Sequence, residues 1–259
     1  MTGLNSIILG LVEGVTEFLP ISSTAHLIIA SSLLKLPQSE FISFFEVFIQ
    51  SGAILAVIYL YFGYINKHKE LVPKVLVSFI PTAVIGFVMR NTIKTVFFPS
   101  LNMIAMTLLV VGLVFILIEF LIKNKTLVLK GSLKEITYCD AFLIGLIQSL
   151  AIIPGVSRAG AVIVGMMLLK YKRSEAAVYS FLLAVPTILG ASILDLIKTD
   201  VSLLTNQNLI FVATGFLASF VSALAVIKWL ITYLQKNSLV IFGVYRIILA
   251  VLLFRLLIE

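Results

Sequence analysis

Hydrophobic residues in this chain run on rather than alternate. Stretches such as "MIAMTLLVVGLVFILIEFLI" and "LVIFGVYRIILAVLLFRLLI" reach about 20 residues with almost no charge, the length a helix needs to cross a hydrocarbon core of roughly 30 Å. A membrane barrel would alternate in segments of about ten residues, and no such alternation is present. The pattern predicts an all-α polytopic membrane protein. Full spans are expected over about 42–64, 74–90 and 101–123, and again over 175–196, 208–231 and 238–258. Two shorter pairs precede them: 4–19 and 23–34, separated by "LPISST", and 137–153 and 157–169, separated by "IPGVSR". At about 1.5 Å per residue each piece covers half to three-quarters of a bilayer. Proline and the hydroxyl residues break the helix between the pieces. Each pair is therefore expected to form a re-entrant hairpin, whose irregular tip needs protein or a wet cavity around it. A single proline-kinked span of about 30 residues is the competing reading.

The two halves resemble each other. "ILGLVEGVTEFLPISSTAHLII" lies over "LIGLIQSLAIIPGVSRAGAVIV", with Gly10-Leu11-Val12-Glu13 on Gly145-Leu146-Ile147-Gln148. With a one-residue slip, Pro20 and Ser23 lie over Pro154 and Ser157. "FFEVFIQSGAILAV" and "YSFLLAVPTILGAS" continue the match. The expected architecture is one membrane domain, residues 1–259, holding a first repeat of about 1–125 and a second of about 135–259. Each repeat is a re-entrant helical hairpin plus three transmembrane helices. Three crossings per half invert the second repeat relative to the first, as in duplicated transporter folds.

Composition agrees with a membrane setting: 61% of residues are hydrophobic and 12% charged, about half the charge of a soluble domain. The N-terminus lacks a basic region and a cleavage site, so it reads as mature sequence. The net charge of +7 sits in short loops, which points to membrane orientation and anionic lipid rather than nucleic acid. On the side of the N-terminus fall Lys35, Arg90, Lys94, Lys198 and Arg255. More than twice as many Lys and Arg residues, at 67–74, 123–134, 170–173, 228 and 236, fall on the other. That side is read as cytoplasmic, with both termini facing outward. Cys139 has no partner at disulfide or zinc spacing and is read as a small buried hydrophobe.

The chemistry concentrates at the hairpin tips. Glu13 and Glu17 share one helical face, in a segment where an ionisable group is expensive. The second arms start at Ser22-Ser23-Thr24 and at Ser157-Arg158, and one hydroxyl of the first cluster is expected to cap. Two helix N-termini aimed at one point attract anions, and Arg158 adds a planar fork that matches phosphate. Acids beside a phosphate call for a divalent cation such as magnesium or calcium, which takes oxygen ligands, or for one carboxylate to act as base. Lining of a watery mouth is the bland reading of the two acids. A serine could be a nucleophile, and His26 could manage protons. Glu46, Gln50, Tyr245 and Arg246 are read as packing between spans or support for the site. Glu119 and Glu175 are read as surface ion pairs. Gly86, Gly112 and Gly243 are read as helix-packing positions.

"EGVTEFLPISSTAH" and "PGVSRAG" resemble the two signatures of the bacterial undecaprenyl pyrophosphate phosphatases, the family associated with bacitracin resistance. "FEVFIQSGAILAV", "IPTAVIG" and "SEAAVYSFLLAVPTILGA" look like further stretches of it. The resemblance covers nearly the whole chain. It implies an integral-membrane phosphatase of the bacterial inner membrane that uses a divalent cation on a polyprenyl pyrophosphate lipid. It is compatible with a homodimer. By matching position, it implies catalytic roles for Glu17, Ser23, His26 and Arg158. It implies substrate binding by Ser22, Thr24, Gly155, Ser157 and Arg158, and metal binding by Glu13 and Glu17. Ala25, Ala159 and Val162 depart from the family, which usually carries glycine, serine and threonine there. A lipid-phosphate flippase or inverted-repeat transporter is the alternative, since carriers share this construction.

Overall fold

The computed structural model describes residues 1–37, 39–89, 100–203 and 205–258, without the side chains of 198, 201 and 256–258. Arg90 and Lys94 of the charge comparison lie outside the described residues. Among the described residues ten α-helices follow in chain order: α1 (Gly3–Thr16), α2 (Ser23–Leu33), α3 (Glu40–Lys67), α4 (Leu71–Val88), α5 (Leu101–Lys123), α6 (Tyr138–Ser149), α7 (Arg158–Leu168), α8 (Arg173–Lys198), α9 (Asn206–Lys236) and α10 (Val240–Ile258). Five of them, α3, α4, α5, α8 and α9, are long and apolar enough to cross a membrane. The chain is thus a multi-pass membrane protein, and α10 adds a further apolar helix of 19 residues.

Local sequence sets the helix starts. Thr2, Ser39, Ser100 and Thr205 each accept a backbone N–H in the first turn of α1, α3, α5 and α9, the usual service of an N-cap. Thr137 and Asp140 form a reciprocal capping box on α6. Cys139 follows at this exposed helix start and is not buried as the sequence reading had it.

The four short helices pair as arms, α1 with α2 and α6 with α7. Each first arm leans on a span of the opposite half: α1 on α9, and α6 on α4. Small residues permit this. Gly10 faces the backbone of Gly215, and Gly145 faces that of Ser78, so a side chain at either would force the helices apart. Hydroxyls pin the same seams, Ser6 to the carbonyl of Phe211 and Ser78 to that of Ala141 at 2.6 Å. The helices α5 and α10 meet at Gly112 and Gly243. A Cβ on either glycine would sit 2.8 Å from the other's carbonyl oxygen. Gly86 differs from the packing role expected of it: its nearest foreign atom, on Ile152, would lie 3.9 Å from an added Cβ.

The main core gathers Phe18, Phe115, Tyr179 and Phe181 with the buried face of α7. Outward-facing residues on the spans, including Val84, Phe87, Val110 and Leu217, remain exposed, as lipid contact requires. Glu119 corrects the sequence reading. It is buried rather than superficial, forms a forked ion pair with Arg173, and accepts the Leu239 N–H at 2.9 Å. A carboxylate so placed needs such partners. Glu175 likewise accepts a backbone N–H, from Leu133 at 2.8 Å.

The hairpin register also differs by one residue from the sequence alignment. Ser22 and Ser157 both stand immediately before a second arm, with φ of 74° and 73°. Ser22 therefore matches Ser157, and Ser23 matches Arg158. These left-handed residues make the sharp reversal into α2 and α7, a conformation costly for serine and kept only where its surroundings fix it.

Candidate active site

Residues from both hairpins line one cavity of about 210 Å³. Glu17, Ser22, Ser23 and Thr24 come from the first tip. Pro154, Gly155, Ser157 and Arg158 come from the second. Gln50 of α3, Thr82 of α4, Gln148 of α6 and Thr187 of α8 complete the lining.

Glu17 joins the two hairpins. It follows the last turn of α1, where the chain turns toward Pro20, and is buried. Its Oε2 accepts the Ser23 hydroxyl at 2.5 Å, and its Oε1 accepts Arg158 Nη2 at 2.7 Å. Arg158 is further fixed by donating Nη1 to the carbonyl of Ser180 at 2.8 Å, and it stacks 5.8 Å above the Phe18 ring. Its Nε has no hydrogen-bond partner among the described residues. A serine hydroxyl held by a carboxylate, beside a clamped guanidinium, pairs a nucleophile and base with an anion-binding group.

The helix starts behave differently. Ser157 caps α7 by accepting the Gly160 N–H at 3.2 Å. The first cluster does not cap as the sequence led one to expect. Ser22 makes no side-chain cap on α2, and the hydroxyl of Ser23 serves Glu17 instead. The first turn of α2 thus keeps N–H groups available beside the cavity.

Glu13 does not line the cavity. It is fully buried, and neither carboxylate oxygen has a hydrogen-bond partner among the described residues. Glu17, Glu46 and Arg158 are its charged neighbours. Glu13 therefore lines no mouth, whereas Glu17 does face the cavity. Glu46 accepts the Ser31 hydroxyl at 2.7 Å.

His26 also stands beside the cavity rather than in its wall. Its Nδ1 is 2.7 Å from the carbonyl oxygen of Ser22, and its Nε2 is 2.6 Å from the Tyr245 hydroxyl. A carbonyl only accepts, so Nδ1 carries a proton there, and a neutral ring takes the Tyr245 proton at Nε2. His26 thus holds the strained Ser22 turn. Arg246 does the same for both tips at once. Fully buried, it donates to the carbonyls of Pro20 at 3.0 Å and Val156 at 3.1 Å, and to that of Gly155. Thr107 adds a bond to the carbonyl of Pro154 at 2.7 Å.

The family departures fall outside the cavity. Ala25, Ala159 and Val162 are buried, and Val162 packs in the main apolar core. The sequence did not single out Thr82 or Thr187, since a threonine in an apolar span carries no pattern. Gln148 was visible only as the repeat counterpart of Glu13.

The sequence profile of the family described as bacitracin resistance protein BacA matches residues 6–252. Curated relatives are named undecaprenyl-diphosphatase. That of Sulfurihydrogenibium sp. (strain YO3AOP1) is 48% identical over 254 residues, covering 97% of this chain and 98% of the relative. That of Aquifex aeolicus (strain VF5) is 40% identical over 250 residues, covering 96% of each. That of Campylobacter jejuni (serotype O:6, strain 81116) is 42% identical over 257 residues, covering 99% of this chain and 95% of the relative.

Proposed function

The chain belongs to the bacitracin resistance protein BacA family, and we infer from that premise that it hydrolyses undecaprenyl diphosphate to undecaprenyl phosphate and phosphate. The observation that carries the chemistry is the chain of contacts Ser23–Glu17–Arg158, which joins both hairpins in one cavity.

Arg158 binds the terminal phosphate, offering the unpartnered Nε and the remaining protons of a guanidinium already fixed in place. The first turn of α2 and the hydroxyls of Ser22, Thr24 and Ser157 receive further phosphate oxygens. Gly155, at φ 92°, makes a turn that a side chain would block, since an added Cβ would collide with Thr107 Oγ1. Glu17 takes the proton of Ser23 as its oxygen attacks the terminal phosphorus. The bond to the bridging oxygen breaks, and the lipid keeps one phosphate. Water then frees the phosphate from Ser23. His26 acts by holding the Ser22 turn.

A divalent cation fits the donor chemistry beside this site. Glu13 offers two buried carboxylate oxygens that lack partners, next to Glu17. Among the described residues no group of three or more ligand side chains gathers. Two carboxylates, those of Glu13 and Glu17, would therefore hold the ion, and such oxygen donors suit magnesium or calcium. When bound, it would offset the negative charge of the diphosphate.

The inverted arrangement is supported by the matched exchange of partners between halves, by the reversal at Ser22 and Ser157, and by the mutual approach of Gly112 and Gly243. The charge asymmetry of the loops supports an inner-membrane protein with both termini outside.

The test is release of orthophosphate from undecaprenyl diphosphate by the purified chain in detergent. Release is expected with magnesium or calcium, should stop on chelation, and should return when metal is restored. Full-rate hydrolysis under chelation would remove the cation from the account. No hydrolysis under any condition would remove the phosphatase.

A further inference from the structure

We propose that Gln148 positions the water that completes hydrolysis, by accepting one of its hydrogens; this rests on the diphosphatase reading above. The cavity lining is of two kinds: Glu17, Ser23 and Arg158 form a charged, bonded set, whereas Gln50, Thr82, Gln148 and Thr187 are neutral. Gln148 is fully buried. Its Nε2 donates to Thr82 Oγ1 at 2.8 Å and to Thr187 Oγ1 at 3.4 Å.

The surrounding bonds fix which end of the amide faces which way. Thr82 donates its hydroxyl proton to the carbonyl of Gly145 at 3.1 Å, and Thr187 donates its own to that of Leu183 at 2.8 Å. Each hydroxyl has a single proton, so both are acceptors toward Gln148. With the hydroxyl protons so placed, the amide nitrogen faces the threonines and the oxygen is turned from them. That oxygen, Oε1, is buried and has no hydrogen-bond partner among the described residues.

Gln148 lines the phosphate cavity, and an unpaired carbonyl on a residue so placed selects its ligand by sign. It repels ionised phosphate oxygens and attracts an O–H donor. A fully ionised diphosphate has no such donor, whereas water does. Water attacks the phosphorus of the phosphoseryl group, the bond from phosphorus to Ser23 Oγ breaks, and Ser23 recovers one proton by way of Glu17. The other hydrogen stays on the departing orthophosphate, and it is this hydrogen that Gln148 holds during the attack. The residue matches Glu13 in the repeat. An amide there orients water without adding negative charge to the cavity.

The experiment compares wild type, Gln148→Met and Thr82→Val, all full-length, on undecaprenyl diphosphate with and without added methanol. Methanol competes with water for the phosphoryl group and yields methyl phosphate. Methionine keeps the volume of glutamine but removes the acceptor. Gln148→Met should lower kcat and KM together, by about tenfold, with kcat/KM nearly unchanged, because only the water step after phosphoryl transfer is slowed and a water held out of line reacts slowly. The ratio of methyl phosphate to orthophosphate should rise. Thr82→Val releases the amide to turn and should move the ratio in the same direction, by less. An unchanged ratio in both variants would overturn the proposal, whatever the rate. So would a raised KM with kcat retained, which would assign the amide to the diphosphate itself. Wild-type protein that releases no phosphate would fail the diphosphatase reading instead, before any variant is compared.

Discussion

Glu17→Gln should lower kcat/KM for undecaprenyl diphosphate by about a thousandfold, roughly 4 kcal/mol in the barrier. The substitution keeps the size of the side chain and can still accept from either neighbour. It loses the charge that fixes Arg158 and the basicity that takes the Ser23 proton. Both losses bear on the same step, so KM alone should not carry the effect. Initial rates of phosphate release in detergent, corrected for folded protein, measure it. Activity within a few fold of wild type would show that Glu17 is a structural partner of Arg158 and not its catalytic one.

The second large effect is expected far from the reacting atoms. Arg246→Met should lower turnover by about a hundredfold and reduce thermal stability, because buried carbonyls of both hairpin tips lose their donor at about 1–3 kcal/mol each. Part of that loss is offset, since the buried guanidinium no longer has to be desolvated. Arg246→Lys should rescue little. A single ammonium lacks the fork that reaches Pro20 on one tip and Gly155 and Val156 on the other. Thermal unfolding and phosphate release on the two variants decide the matter. A methionine variant with wild-type turnover would mean that the tips hold their positions without this clamp.

These two residues also mark how far the sequence could be read. The hairpins were legible because short apolar runs, Pro20 and the serine cluster break the helical period at a depth where breaks are rare. Glu17, Ser23 and Arg158 stood out because a charge or a run of hydroxyls in an apolar segment demands a reason. Arg246 stood out equally, yet its partners are backbone carbonyls about 90 and 226 residues away, and carbonyls leave no mark in a sequence. The His26 bond to Tyr245 crosses 219 residues and was invisible for the same reason. Glu119 was misread from its lysine neighbours, because sequence proximity hid the distant Arg173 that holds it in a buried place. The neutral part of the lining was mostly missed: Gln50 was read only as packing or support, and Gln148 only as the counterpart of Glu13. Thr82, Gln148 and Thr187 come from three helices, and only packing brings them together.

The central claim is that one catalytic unit is shared between the hairpins, with Arg158 of the second acting on Glu17 and Ser23 of the first. A double-mutant cycle tests it most directly, using phosphate release by Glu17→Gln, Arg158→Lys and the combined variant. Arg158→Lys keeps the charge but not the forked geometry and should cost tenfold or more, about 1.4 kcal/mol. Residues that act as one unit are strongly non-additive, so the combined variant is expected to be little slower than Glu17→Gln alone. Losses that multiply, with folding intact in all three proteins, would contradict a shared site and leave the two hairpins acting independently.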